Sequence, residues 1–223
     1  RILTWDDNLI KNPKFIKYNI PMEPSKVVKE IISFSQKKLL VNISFNKYSK
    51  YKNELYSERR KLISYFESNF PNDFDLYGLR WNRPITRWQM TFPFLVKKYS
   101  TFRGHSKDKI DTLSHYKFNI AYENISDAKG YIADRIFSAF QAKSVPIYWG
   151  APNIEEYIDA DAFIDRRQFK NNAELAQFLK QMTEQEYNKY IDAANRFMQS
   201  EKYAKFLPEN FCNQVIKALN IKT

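Results

Sequence analysis

The sequence predicts an α/β domain: a Rossmann-like parallel sheet with helices on both faces, followed by a helical C-terminal tail. Three observations carry that prediction. Short apolar runs of strand character recur at residues 38–45, 75–79, 117–122 and 145–149. Helical stretches separate most of them, and alternating strand and helix signals parallel strands covered on both sides. Beyond Gly150 the pattern becomes mostly helical.

Element by element, Pro13, Pro21 and Pro24 break regular structure at the start. Residues 1–35 therefore read as a linker, or the remnant of a preceding domain, ending in a short helix at residues 25–32. The opening Arg1-Ile2-Leu3-Thr4 has neither a Met nor a signal-peptide pattern, which predicts further chain upstream. Residues 36–223 read as the ligand-binding domain with its helical tail. Leu39, Leu40, Val41, Ile43 and Phe45 mark a buried strand; Leu55, Leu62, Ile63 and Phe66 share one face of a helix over residues 52–69. A second strand over residues 75–79 includes Gly78 near its end.

Residues 80–99 are irregular, with Trp81, Trp88, Phe92 and Phe94 interleaved with Arg80, Arg83, Arg87, Lys97 and Lys98. They predict a loop or hairpin pinned by aromatics; the functional alternative is a contact surface for an acceptor or a peripheral membrane contact. A helix at 107–115, a strand at 117–122, a helix at 131–142 and a strand at 145–149 follow. Helices are expected at 154–158, 172–182, 184–200 and 208–220, with a short strand at 163–165.

The net charge of +11 calls for an anionic partner. The basic residues are dispersed, however, and no zinc-finger, KH or RNA-binding-sheet pattern accompanies them, which argues against nucleic acid. A single cysteine, Cys212, and two histidines, His105 and His115, exclude an internal disulfide and speak against a zinc hydrolase. The cysteine usage fits a reducing compartment, hence a bacterial-type cytoplasmic protein rather than one of the Golgi lumen. The glycosylation sequons at Asn42 and Asn124 read as chance matches.

Chemistry concentrates in one unit: Tyr122-Glu123-Asn124, a loop with Gly130, Tyr131-Ile132-Ala133-Asp134-Arg135, and Val145-Pro146-Ile147-Tyr148-Trp149-Gly150. A buried strand delivers Glu123 and Asn124 to the carboxyl edge of the sheet, where such sheets bind ligands. The helix that follows offers free N–H groups suited to phosphate. On it Tyr131, Asp134, Arg135 and Ser138 have the spacing of one polar stripe.

This strand–loop–helix–strand unit resembles the donor-binding signature of the α-1,3/4-fucosyltransferases. The resemblance implies the C-terminal half of a GT-B glycosyltransferase that uses GDP-fucose as donor and a glycan as acceptor, inverts the anomeric carbon and requires no cofactor or metal. By position it implies donor contacts from Asn124 and Tyr131. Arg135 stands where the family has a phosphate-binding lysine, and Asp134 where it has a glutamate near the fucose. Arg59 aligns with a helix arginine that pairs with the diphosphate, its residue-based alternative being a solvated helix arginine. Ser44 ends the first strand near the nucleotide. The resemblance also places the general base in an N-terminal acceptor domain outside this chain. A GT-B enzyme with another nucleotide sugar, and a basic nucleic-acid or surface-binding module, stay open as alternatives.

Overall fold

The computed structural model describes residues 1–23, 28 and 30–219. Of the helix expected at 25–32, residues 25–27 and 29 lie outside the described residues, and residues 28 and 30–32 are not helical. Two short parallel strands, β1 (Ile2–Thr4) and β2 (Phe15–Lys17), form a separate sheet. The central sheet has five strands: β3 (Lys38–Ile43), β4 (Phe74–Tyr77), β5 (Tyr116–Tyr122), β6 (Val145–Trp149) and β7 (Ile164–Asp165). All its pairings are parallel, in the order β4-β3-β5-β6-β7. The chain runs outward from β3 to β4, then crosses back to lay β5 on the other side of β3. The reversal leaves a crevice at the carboxyl ends of β3 and β5, the topological switch point.

The helices are α1 (Tyr56–Asn69), α2 (Arg87–Thr91), α3 (Lys109–Ser114), α4 (Asp134–Gln141), α5 (Asn172–Gln181), α6 (Glu184–Met198), α7 (Glu201–Ala204) and α8 (Pro208–Leu219). Alternation along the strands sorts the core into two layers. Leu40, Leu76, Phe118, Ile120 and Ile147 pack with Leu62, Ile63 and Phe66 of α1 and with Leu175 and Leu179 of α5. On the opposite face Val41 meets Leu113 of α3, and Tyr148 joins Ile136, Phe137 and Phe140 of α4 and Phe197 of α6. Each such fully buried side chain stabilises the fold by about 1.5–3 kcal/mol. Helices therefore cover both faces, as the alternating pattern predicts.

Three local expectations change. The start of the segment read as a linker or the remnant of a preceding domain packs as an arm on the domain. Asp7 accepts hydrogen bonds from Lys17 Nζ (2.6 Å), Asn153 Nδ2 (2.9 Å) and the Tyr157 hydroxyl (2.7 Å). Helix α4 begins at Asp134, not at residue 131, because Ala133 is extended (φ −101°, ψ −175°). Tyr131 thus belongs to the loop, and the four-residue stripe shortens to Asp134, Arg135 and Ser138. In residues 80–99, Trp81 is 2 % exposed while Trp88 and Phe94 lie open, and the segment folds as α2 and a 3-10 turn at Pro93–Leu95.

Candidate active site

Strand β5 leads directly into Glu123 and Asn124, and the carbonyls of Tyr122 and Glu123 are gripped by two arginines. Arg135 Nε donates to the Tyr122 carbonyl (2.8 Å), and its Nη2 donates to Asn124 Oδ1 (3.1 Å). Asn124 Nδ2 in turn donates to the Tyr131 hydroxyl (3.1 Å), whose ring packs on Trp5 of the N-terminal arm at 5.0 Å. Asn124, Tyr131 and Arg135 therefore form one hydrogen-bonded cluster at the sheet's carboxyl edge.

Arg59 lies behind that cluster. It is 2 % exposed, and its Nη2 donates to the carbonyls of Tyr122 and Glu123, the latter at 2.9 Å. The solvated-arginine reading of this residue is overturned: the register of α1 turns it inward with Leu62, Ile63 and Phe66. Burial, with Arg135 nearby, lowers its pKa to about 9, which leaves it charged at neutral pH. In this conformation Arg59 supports the floor of the site through the backbone of β5.

The crevice itself encloses about 430 Å³, walled by Ser44, Phe45, Gly78, Lys107, Asp134 and Arg135 among others. Ser44 Oγ accepts from Asn42 Nδ2 (2.8 Å), and Asn42 is fully buried, which excludes its sequon from glycosylation. Gly78 has φ +123°, and a Cβ there would stand 1.9 Å from the Ser44 carbonyl oxygen. Only glycine lets β4 turn this close to the end of β3.

Lys109 Nζ meets Asp134 Oδ2 at 2.5 Å. The Asp134 side chain is 59% exposed, and Lys109 and Arg135 together hold its pKa below the usual carboxylate value. Asp134 is thus an anion beside two cations at the start of α4. The N-cap residue of that helix, Ala133, makes no side-chain cap, and the partial positive charge of a helix start favours an anion.

Glu123 plays a different part from the exposed acids. It is fully buried, with one carboxylate oxygen accepting the Ala133 N–H (2.7 Å) and Oε2 without a partner. A Cβ on Gly150 would come within 2.5 Å of its Cγ, so that glycine makes room for it. Burial raises the Glu123 pKa to about 7, against the opposing pull of Arg135. Having no exposed surface, it cannot touch an acceptor hydroxyl; it fixes the loop that carries Tyr131 and leads into α4.

The structure gathers Ser44, Asp134 and Arg135 on one crevice and links Asn124 and Tyr131 to it through Arg135. Sequence reasoning missed Lys107, Lys109 and His105, which also line the crevice. Their signal was topological: a helix preceding a parallel strand starts at the strand's carboxyl edge, so the start of α3 had to converge there. Trp5 gave no signal, because its contact joins segments far apart in sequence. Among the described residues no three His, Cys, Asp or Glu side chains are grouped to hold a metal.

Solved structures share the architecture. A crystal structure of an α1,3-fucosyltransferase with GDP aligns with a TM-score of 0.53 at 20% identity, covering 84% of this chain and 48% of that one. TarM aligns with a TM-score of 0.59 at 12% identity, covering 98% and 43%. Both likenesses establish the fold, one shared with GT-B glycosyltransferases.

Sequence relatives are more specific. The α-(1,3)-fucosyltransferase FucT of Helicobacter pylori is 34% identical over 93 residues, 42% of this chain and 19% of that protein. The human 4-galactosyl-N-acetylglucosaminide 3-α-L-fucosyltransferase 9 is 40% identical over 80 residues, 35% of this chain and 22% of that protein. The matches thus span about a fifth of each relative's length. The model of glycosyltransferase family 10 (fucosyltransferase), C-terminal part, matches residues 54–222. The chain belongs to glycosyltransferase family 10, the fucosyltransferases.

Proposed function

We propose that this chain is the donor-binding part of an enzyme that transfers L-fucose from GDP-fucose to a glycan hydroxyl, with inversion at the anomeric carbon. The observation that carries the reading is the Asn124–Tyr131–Arg135 cluster at the topological switch point, beside the uncapped start of α4. Family membership and a related α1,3-fucosyltransferase solved with GDP-fucose support this choice of donor.

In the proposed reaction the acceptor oxygen bonds to the anomeric carbon as the bond from that carbon to the diphosphate oxygen breaks. GDP leaves with the electron pair, and the acceptor proton passes to a carboxylate base. That base is proposed to belong to an N-terminal acceptor domain outside these residues. Arg135 and the first-turn amides of α4 stabilise the charge growing on the departing diphosphate. Asp134, held ionised by Lys109, faces the same crevice and suits the developing positive charge on the sugar. Arg59 keeps the β5 edge in place beneath them.

Nucleotide selectivity tests the reading. GDP is expected to bind, and UDP to bind at least about tenfold more weakly, a difference of about 1.4 kcal/mol. Calorimetric titration of the chain with each nucleotide measures this, and equal affinities would favour a GT-B enzyme with another donor.

A further inference from the structure

Residues 79–98 carry exposed apolar surface beyond the Asn124–Tyr131–Arg135 cluster. Trp88 is 72 % exposed and Phe94 81 %, and Met90 and Leu95 are also open to solvent. Helix α2 sets Trp88 and Phe92 one turn apart, with their rings stacked at 6.1 Å and 12°. Pro93 then opens the 3-10 turn that presents Phe94 and Leu95.

The segment holds this shape by its own hydrogen bonds. Thr86 caps α2 by accepting the Gln89 N–H, and the Gln89 side chain accepts the Ile85 N–H (2.9 Å). It is rooted on the domain by Trp81, whose indole N–H donates to the Ser44 carbonyl (2.8 Å), and by Asn46 Nδ2, which donates to the Arg80 carbonyl (3.2 Å).

Charge identifies the partner. Arg83, Arg87, Lys97 and Lys98 are all exposed around the rings, and no acidic residue occurs between Asp75 and Asp108. Exposed aromatics flanked only by cations match the interfacial zone of a bilayer with anionic headgroups, where rings sit at headgroup depth and cations meet phosphates. Among the described residues no helix is long and apolar enough to cross a membrane.

We propose that residues 79–98 dock the protein on an anionic lipid surface, with Trp88, Phe92 and Phe94 entering the headgroup layer. Because the segment is rooted at Ser44, docking sets the crevice beside the membrane. This inference does not depend on the identity of the donor.

The test is co-sedimentation of the chain with vesicles of phosphatidylcholine alone and of phosphatidylcholine mixed with phosphatidylglycerol, at physiological salt. The chain is expected to bind the mixed vesicles and leave the neutral ones. The double variant Trp88→Ala, Phe94→Ala is expected to lose at least about tenfold in partitioning, because anchoring scales with buried apolar area. This variant keeps every charge, so it separates ring insertion from the general attraction of a basic chain. Both side chains are exposed, and an unchanged melting temperature verifies that the fold survives. Failure to bind the mixed vesicles, or equal binding by the variant, overturns the proposal. So does a self-associated form, or oligonucleotide binding, that the variant abolishes while its vesicle binding stays intact.

Discussion

Replacing Arg135 by alanine is expected to weaken GDP binding by about 1.5–3 kcal/mol, roughly 10- to 150-fold in Kd, the usual worth of a hydrogen bond to a charged group. The loss has two sources. The diphosphate loses a cation, and Asn124 loses the Nη2 donor that orients its amide toward Tyr131. Arg135→Lys should recover part of the affinity, since an ammonium restores the charge but cannot bridge the Tyr122 carbonyl and Asn124 Oδ1 as the planar guanidinium does. A control must remove a positive charge without touching the sheet's carboxyl edge. Arg166 fails that requirement, because it donates to the Phe169 carbonyl (2.7 Å) and lies over the Trp149 ring. Arg196, on α6 with its side chain 68% exposed, serves instead, and Arg196→Ala should change GDP affinity little. Calorimetry on the three variants reads the result directly.

Glu123→Ala is expected to cost about 1–3 kcal/mol of stability from the orphaned Ala133 N–H alone. Loss of the side chain also leaves a cavity beside Gly150. The charge makes a separate, pH-dependent contribution. Because the folded protein raises the Glu123 pKa from 4.5 to about 7, it holds a proton that the unfolded chain has released. The stability this provides is present in full below pH 4.5 and is lost as pH rises toward 7. At about 1.4 kcal/mol per pH unit the loss amounts to roughly 3 kcal/mol. Arg59, Arg135, Asp134, Tyr131 and Tyr148 surround the carboxyl and set its field. Glu123→Gln keeps an acceptor for Ala133 but cannot ionise. Urea midpoints of wild type and Glu123→Gln should therefore converge or cross as pH rises from 5 to 8, with the wild type losing ground; parallel curves would contradict the assignment.

Most of the sheet was legible because its strands are buried on both faces and read as apolar runs such as 39–43 and 145–149. The crevice was legible for a related reason: polar residues directly after a buried strand, at Glu123 and Asn124, have only the carboxyl edge to occupy. Limits appeared where the decisive partner is distant in sequence. Three-residue strands at Ile2–Thr4 and Phe15–Lys17 leave no periodic trace, and the arm's attachment depends on Asp7 meeting Asn153 and Tyr157. The start of α4 was placed too early because Tyr131 and Ile132 suit a helix, whereas Glu123 holds the extended Ala133 by its N–H. Beside its diphosphate role, Arg59 kept a solvated alternative in the sequence because its two acceptors are backbone carbonyls of another strand, which no side-chain pattern reveals.

The most direct test of the donor-site assignment is residue-resolved: amide chemical shifts of the chain followed during titration with GDP-fucose. Saturable changes are expected at Ser44 and Phe45, at Asn124 and Tyr131, and across the first turn of α4 from Asp134. Residues 83–98 and the α6 surface around Arg196 should stay unchanged. Shifts confined to residues 83–98, or the absence of any saturable shift at Asn124, Tyr131 and Arg135, would contradict a donor site at the carboxyl edge of β3 and β5.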